Sequence, residues 1–225
     1  MTVSYAGLDR LMGLMTGDEK HGPSATSTLD VIWVLYDRIL RITPQTVDDP
    51  GRDRFVVSKG HGPMAFYAVL AAKGFIDEDQ LPGFGSYDSR LGHHPDRLLI
   101  PGVEFSSGSL GHGLPAAVGM AHGLLAQGLD SRVICLVGDA EFDEGSNSEA
   151  VVYAGSAGLA NLTVVVIDNQ SSTHGWPGGI GRRFMIDNWL THDIDGRDHE
   201  AIARAFRNAA PDRPTAVIAH VEPKG

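Results

Sequence analysis

The feature that most constrains the fold is a pair of uniformly apolar runs, at 133–137 and 162–167, separated by a helical pattern from about 144 to 158. Both runs are rich in valine and lack polar alternation, which is typical of strands buried on both faces of a parallel sheet. Strand, helix and strand over roughly 35 residues form a right-handed βαβ unit. The sequence therefore predicts an α/β fold, with helices on both faces of a central parallel sheet.

The rest of the chain fits this architecture. Helical periodicity predicts further helices at 28–41, 64–73, 112–127 and 200–209. Apolar runs predict further strands at 54–57 and 215–221. Residues 26–28 are candidate caps of the first helix, and Gly119 and Gly123 suggest close packing of the third. The segment 176–189, with Gly and Pro, is predicted to be a mobile loop, and a single domain is expected over 1–225.

Composition excludes several classes of function. The formal net charge is -10 and no run of Lys or Arg is present, so nucleic acid is not an expected partner. No apolar run approaches the length of a membrane span, and the N-terminus lacks a secretory pattern. The one cysteine, Cys135, lies inside an apolar run, which excludes an internal disulfide and suits a buried thiol. We expect a soluble, cytoplasmic protein.

Asp139 and Asn169 follow the two central strands. The carboxyl ends of parallel strands meet at one edge of the sheet, where ligands collect. A carboxylate, an amide oxygen and a nearby carbonyl form an all-oxygen half-shell that suits Mg²⁺. Neighbouring glycines could turn backbone N–H groups toward phosphates: Gly108, Gly111, Gly113 and Gly138. Taken singly, Asp139 could instead cap the next helix and Asn169 could start a turn.

Two common phosphate-binding motifs are absent from the sequence. It has no G-x-x-x-x-G-K-[ST] motif, and 108–113 (GSLGHG) lacks the G-x-G-x-x-G spacing. These absences argue against an ATPase and against a nicotinamide dehydrogenase.

The stretch from Gly138-Asp139-Ala140-Glu141 to Asp168-Asn169 resembles the motif with which thiamine diphosphate enzymes bind that cofactor and magnesium. Three further segments resemble the N-terminal domain of transketolase: 58–61 (SKGH) with Tyr67, 102–111 and 195–198. The resemblance covers roughly residues 15–222 and implies the thiamine diphosphate-binding fold.

The resemblance also implies roles for individual residues. Magnesium would be bound by Asp139, Asn169 and the carbonyl of Ser171. The cofactor would be contacted by His61, Gly108, Leu110, Gly138, Asp139, Ala140, Glu141 and Asn169. The catalytic residues would be His21, His61, His94 and Glu144. Histidine suits proton transfer because its pKa lies near neutrality, and Glu144 resembles an acid at the contact between two active sites.

The resemblance further implies a partner. In transketolases, the acid that activates the cofactor comes from a second, pyrimidine-binding domain, for which this sequence has no room. We therefore expect a split transketolase, in which this chain joins a C-terminal transketolase subunit in an α2β2 assembly. The complex would transfer a two-carbon ketol unit from a ketose to an aldose, with sugar phosphates as substrates.

Departures from the family pattern keep two alternatives open. Ala140 replaces a glycine, His21-Gly22-Pro23 inverts His-Pro-Gly, and His93-His94-Pro95-Asp96 stands for Gly-His-Pro-Glu. Together with an end at Gly225, before a further histidine of related proteins, they suit a non-catalytic or regulatory subunit that retains the fold. The other alternative is an α-type subunit of a 2-oxoacid dehydrogenase or of a deoxysugar phosphate synthase.

Overall fold

The structure, a computed structural model, describes residues 3–16 and 22–223, with the side chains of 22–25 excluded. Its helices are α1 (Leu8–Gly13), α2 (Gly22–Val34), α3 (Met64–Ala72), α4 (Gly113–Ala126), α5 (Gly145–Ala157), α6 (Ile180–Ile186) and α7 (His199–Arg207). Its strands are β1 (Arg54–Val57), β2 (Val133–Gly138), β3 (Leu162–Asp168), β4 (Leu190–Asp195) and β5 (Thr215–His220). In this part of the chain, no helix is long and apolar enough to cross a membrane.

The five strands form one parallel sheet in the order β1-β2-β3-β5-β4. The predicted βαβ unit is present, because β2 pairs with β3 and α5 lies between them in the chain. Every residue of β2 is buried, as its uniform apolar composition requires. The prediction of an α/β fold with a parallel sheet is confirmed.

Two hydrophobic cores lie on opposite faces of the sheet. One core joins α1, α2, α3 and α7 to strand residues such as Ile134 and Leu136, while the other joins α4, α5 and α6 to Cys135 and Val137. This division follows from the two-residue period of a strand, which sends successive side chains to opposite faces. Cys135 is fully buried, and burial raises the pKa of its thiol.

Several local predictions were wrong. Helix α2 begins at Gly22 and continues as one π-helical turn over Leu35–Ile39, so 26–28 lie inside the helix and do not cap it. The segment 176–189 contains helix α6, with Phe184 buried against Trp189. Strand β4 was missed because its sequence, LTHDID, is polar; it is a partly exposed strand at the edge of the sheet.

The predicted packing of α4 against the sheet and a neighbouring helix is confirmed, but Gly119 and Gly123 do not provide it; a glycine allows close backbone packing at Gly155 instead. Beyond the adjacent residues and the backbone of α4 itself, no atom of the described residues lies within 4 Å of a Cβ built on Gly119 or on Gly123, and Gly119 is exposed. A Cβ on Gly155 would lie 1.7 Å from the carbonyl oxygen of Asp187 and 3.1 Å from the Trp189 ring. The absent side chain therefore lets α5 pack directly against the turn between α6 and β4.

Gly155→Ala is expected to lower the free energy of unfolding by about 1–3 kcal/mol, because the methyl group overlaps a backbone carbonyl and forces the turn to move. The matched control is Gly119→Ala on the exposed face of α4, which should raise stability by up to about 1 kcal/mol through helix propensity. Urea unfolding of the two variants measures both effects. Equal stability of the two proteins would contradict the packing described for Gly155.

Candidate functional site

The candidate site lies at the edge of the sheet where the carboxyl ends of the strands meet. The segments that follow β1, β2 and β3 are 58–61, 139–144 and 169–175, and the loop 107–113 leads into α4 beside them. Because β1, β2 and β3 are parallel neighbours, their three following segments converge. Most of the site residues predicted from the sequence lie on these four segments.

Asp139 lies at the center of this edge and is 1% exposed. Its carboxylate accepts hydrogen bonds from the Ser171 amide (2.6 Å), the Ser171 hydroxyl (2.6 Å) and the Ser172 amide (3.0 Å). The structure thus brings together Asp139 and Ser171, two of the three predicted magnesium ligands. The four residues from Ser171 to His174 wrap around the acidic side chains that follow β2.

Asp143 holds the other side of that loop. Its carboxylate accepts hydrogen bonds from the Ser172 hydroxyl (2.9 Å), the Thr173 amide (2.8 Å) and the His174 amide (3.3 Å). Asp143 was not among the predicted site residues. The position of Asp143 four residues after Asp139 did not indicate a role in the site. Its contacts depend on how the loop after β3 folds back over the segment after β2.

Asn169, the third predicted ligand, is 3% exposed. Its side-chain oxygen is buried and has no hydrogen-bond partner among the described residues. Burying an amide oxygen without a partner costs free energy, so this oxygen is available to accept a bond from a ligand. Gln170 follows in a left-handed conformation (φ 55°), which turns the chain toward Asp139. The donor set of carboxylate and amide oxygens fits a hard cation such as Mg²⁺.

His61 and His94 are in direct contact with each other. Their ring centers lie 5.1 Å apart in an edge-to-face arrangement. The Tyr67 hydroxyl donates a hydrogen bond to the Gly92 carbonyl (2.9 Å), which ties the His94 segment to helix α3. Gly108 has φ 138°, and a Cβ there would lie 2.9 Å from the His94 ring. A backbone that approaches a ring this closely requires glycine.

Glu141 is buried beneath the same loops, with 1% exposure. Its carboxylate accepts hydrogen bonds from the Ser58 hydroxyl (2.6 Å), the Gly138 amide (3.0 Å) and the Gly111 amide (3.3 Å). Burial raises the pKa of the Glu141 carboxyl, although the three hydrogen bonds favour its charged form. The side chain is therefore occupied by protein groups, and Ser58, which belongs to the segment 58–61 but was given no role of its own, is a further site residue.

The remaining predicted residues take varied positions. Glu144 is exposed, immediately before α5, and makes no capping hydrogen bond with its side chain. The Leu110 carbonyl lies 2.9 Å from a ring nitrogen of His112. Ala140 lies in a 3₁₀ turn without a positive φ, so its methyl group is compatible with the backbone. His21 lies outside the described residues.

One cavity lies at these loops. It has a volume of about 250 Å³, is lined by Asp139, Asp168 and Ser172 together with the Trp176 segment, and adjoins the candidate metal site. A second cavity, of about 340 Å³, lies elsewhere, between Arg52 and Arg97, and contains none of the predicted site residues. The first cavity therefore fits the candidate chemistry better, although it is the smaller.

Comparison with known proteins agrees with this geometry. Residues 14–221 match a family model described as transketolase, thiamine diphosphate binding domain. A protein of Actinobacillus succinogenes, named as one subunit of an apulose-4-phosphate transketolase, is 34% identical over 207 residues, covering 89% of this chain and 75% of the relative. A protein of Rhodococcoides fascians named ferredoxin fas2 is 54% identical over 219 residues, covering 97% of this chain and 72% of the relative. The single cysteine here cannot supply the cysteine ligands of an iron–sulfur cluster, so that name is not transferred.

Among solved structures, transketolase from Leishmania mexicana superposes with a TM-score of 0.82 at 26% identity. The superposition covers 98% of this chain but 37% of that chain, so this chain corresponds to about a third of a complete transketolase. The matched domain, the parallel sheet and the converging loops lead to one conclusion: the chain belongs to the transketolase family, as its thiamine diphosphate-binding domain.

Proposed function

We propose that this chain is the cofactor-binding subunit of a split transketolase, which transfers a two-carbon ketol unit from a ketose to an aldose together with a separate partner subunit. The observation that carries the proposal is the buried, unpartnered oxygen of Asn169 at the end of the strand next to Asp139. That arrangement suits a bound cation that in turn holds a diphosphate.

The residues present fit thiamine diphosphate and Mg²⁺. Asp139, Asn169 and the carbonyl of Ser171 would hold the metal, with Gly138 and Ala140 beside the diphosphate. Gly108 and Leu110 would present backbone groups to the aminopyrimidine ring. When bound, the cofactor supplies a nucleophilic carbon and an electron sink for the ketol transfer.

The histidines of this chain would contact the substrate. In this proposal, His61 lies near the diphosphate and the sugar hydroxyls, and His94 faces the reacting carbon skeleton. Their edge-to-face contact keeps both rings on one side of the site. Either imidazole could hold or move a proton near neutral pH. His21 is proposed for the same region, and Glu144 for the contact between two active sites.

The partner would be a chain with a pyrimidine-binding domain, which supplies the acid that the cofactor requires. The relative from Actinobacillus succinogenes is named as one subunit of its transketolase, which supports such a division of labour. Its name also specifies a sugar phosphate, and we propose that substrate class for this complex. We further propose that two copies of this chain and two copies of the partner form a cytoplasmic α2β2 assembly, in which this chain is one domain of each pair.

Calorimetric titration of the chain with thiamine diphosphate tests the binding role. Saturable binding in the presence of Mg²⁺, lost when the metal is chelated, is the expected result. A ketol-transfer assay tests the division into subunits: the chain alone should be inactive and become active when the partner is added. Efficient turnover by the isolated chain would refute the split arrangement.

The two alternatives predict different outcomes. A non-catalytic subunit would bind no cofactor even when its partner is present. An α-type subunit of a 2-oxoacid dehydrogenase would support decarboxylation of a 2-oxoacid rather than ketol transfer. The transketolase names of the matched family and of the relative from Actinobacillus favour ketol transfer.

A further inference from the structure

We propose that Glu141 is a positioning residue, whose buried carboxylate holds the loops after β1 and before α4 against the end of β2, and that it does not itself contact the cofactor. This inference rests on the proposed function, because it assigns those loops to the diphosphate site. The sequence suggested that Glu141 contacts the cofactor. We propose the positioning role in place of that contact.

The loops after β1 and before α4 meet the end of β2 at Glu141, and this meeting point is called the junction below. Its hydrogen bonds require that both carboxylate oxygens of Glu141 act as acceptors. Oε1 faces the Gly111 amide and Oε2 faces the Gly138 amide. A backbone N–H can only donate, so each oxygen must accept. Ser58 extends the junction, because its hydroxyl donates to Oε1 (2.6 Å) and accepts from the Gly113 amide (3.2 Å). One carboxylate thus links three segments: directly or through Ser58 it holds backbone amides in two of them, and the Ser58 hydroxyl belongs to the third.

Glycines allow these segments to approach closely enough to share one acid. A Cβ on Gly113 would lie 2.4 Å from the Ser58 Cβ. A Cβ on Gly60 would lie 2.5 Å from the Ser107 hydroxyl and 2.9 Å from the Gly108 amide nitrogen. Contacts this short leave no room for side chains between the segments, so a small displacement of one loop displaces the next.

Both carboxylate oxygens of Glu141 already accept hydrogen bonds from protein donors, so the side chain acts within the protein. Its side chain is 1% exposed, and the Asn147 side-chain amide donates to its backbone carbonyl (2.8 Å). Asn147 is itself fully buried in α5. Glu141 therefore also anchors the start of the helix that follows the site, while Asp139, two residues earlier, faces the loop after β3.

Glu141→Gln tests the proposal with an almost unchanged shape. Whichever way the amide is oriented, its NH₂ group faces a backbone N–H, either that of Gly111 or that of Gly138. Hydrogen exchange of the metal-free full chain should become at least about tenfold faster at whichever of these two amides faces the NH₂ group, while amides in β3 and β5 keep their protection. Binding of thiamine diphosphate with Mg²⁺ should weaken at least about tenfold. Glu149→Gln, an exposed substitution of the same kind on α5, is the control and should change neither measurement.

Ser58→Ala provides a second variant with a different signature. It removes only the hydroxyl between Gly113 and Glu141, so exchange should accelerate at Gly113 and stay slow at Gly111 and Gly138. Unchanged exchange in Glu141→Gln, or faster exchange throughout the sheet, would overturn the positioning role. If the wild-type chain binds no thiamine diphosphate even when its partner is present, the proposed binding function fails, and the exchange pattern still decides whether Glu141 holds the loops.

Discussion

Asp139→Asn is expected to lower the affinity for thiamine diphosphate in the presence of Mg²⁺ at least about 100-fold. Losing a group that only supports a metal ligand commonly costs 10–100-fold, so losing the charge of a ligand itself should reach at least the upper end of that range. The amide also cannot accept all the hydrogen bonds that Ser171 and Ser172 donate to the carboxylate. Calorimetric titration of the full chain with the cofactor and Mg²⁺ measures the loss.

The matched control for this prediction is Asp195→Asn. Asp195 also lies at the carboxyl edge of the sheet, at the end of β4, where it is exposed and accepts a hydrogen bond from the Arg197 amide (2.8 Å). It is neither a proposed ligand nor part of the cavity beside Asp139, so the same loss of charge should change the affinity by no more than about threefold, as expected of a screened charge. Equal losses in the two variants would contradict a specific role for Asp139.

The buried part of the sheet and the ends of its central strands could be predicted because the signals are local. Uniform apolar runs in β2 and β3 indicate strands buried on both faces. Parallel pairing then places Asp139 and Asn169 at one edge. Neither step requires knowledge of distant parts of the chain, which explains why these elements were predicted within one residue of their observed bounds.

The remaining features depend on tertiary contacts that leave no periodic trace in the sequence. Ser58 and Glu141 are 83 residues apart and meet only after the sheet has formed. Gly119 and Gly155 have the same local sequence signal, a glycine within a helix, yet only Gly155 faces a neighbouring backbone. Strand β4 is mostly polar and lies at the sheet's edge, where uniform apolarity is not needed.

Asp53→Ala is expected to lower the free energy of unfolding by about 3 kcal/mol, the lower end of the range for breaking a buried ion pair. Asp53 is fully buried and accepts hydrogen bonds from the backbone amides and guanidinium groups of Arg41 and Arg132. The two guanidinium groups are partly exposed and can regain water, whereas the two amides lose a buried acceptor. Asp130→Ala is the control: Asp130 also pairs with Arg41 but is fully exposed, so little change is expected.

The effect of Asp53 should depend on pH. Burial alone would raise the pKa of its carboxyl, but hydrogen bonds from Arg132 and Arg41 hold that pKa below its usual range. A carboxyl with a lowered pKa in the folded state stabilises above its unfolded pKa, near 3.9, and loses this contribution as the pH falls through the folded value. Urea unfolding should therefore show the full difference between wild type and Asp53→Ala at pH 7 and a smaller one below about pH 4. A difference that stays constant over this range would show that the charge of Asp53 is not what stabilises the fold.

The Asp53→Ala variant also distinguishes effects on stability from effects on cofactor binding. It lies just before β1 and joins the amino ends of β1 and β2, whereas Asp139 follows the carboxyl end of β2. At temperatures where Asp53→Ala remains folded, its affinity for thiamine diphosphate with Mg²⁺ should equal that of the wild type. Asp139→Asn should show the reverse, a large loss of binding with a smaller loss of stability, because the two carboxylates serve opposite ends of the same strand.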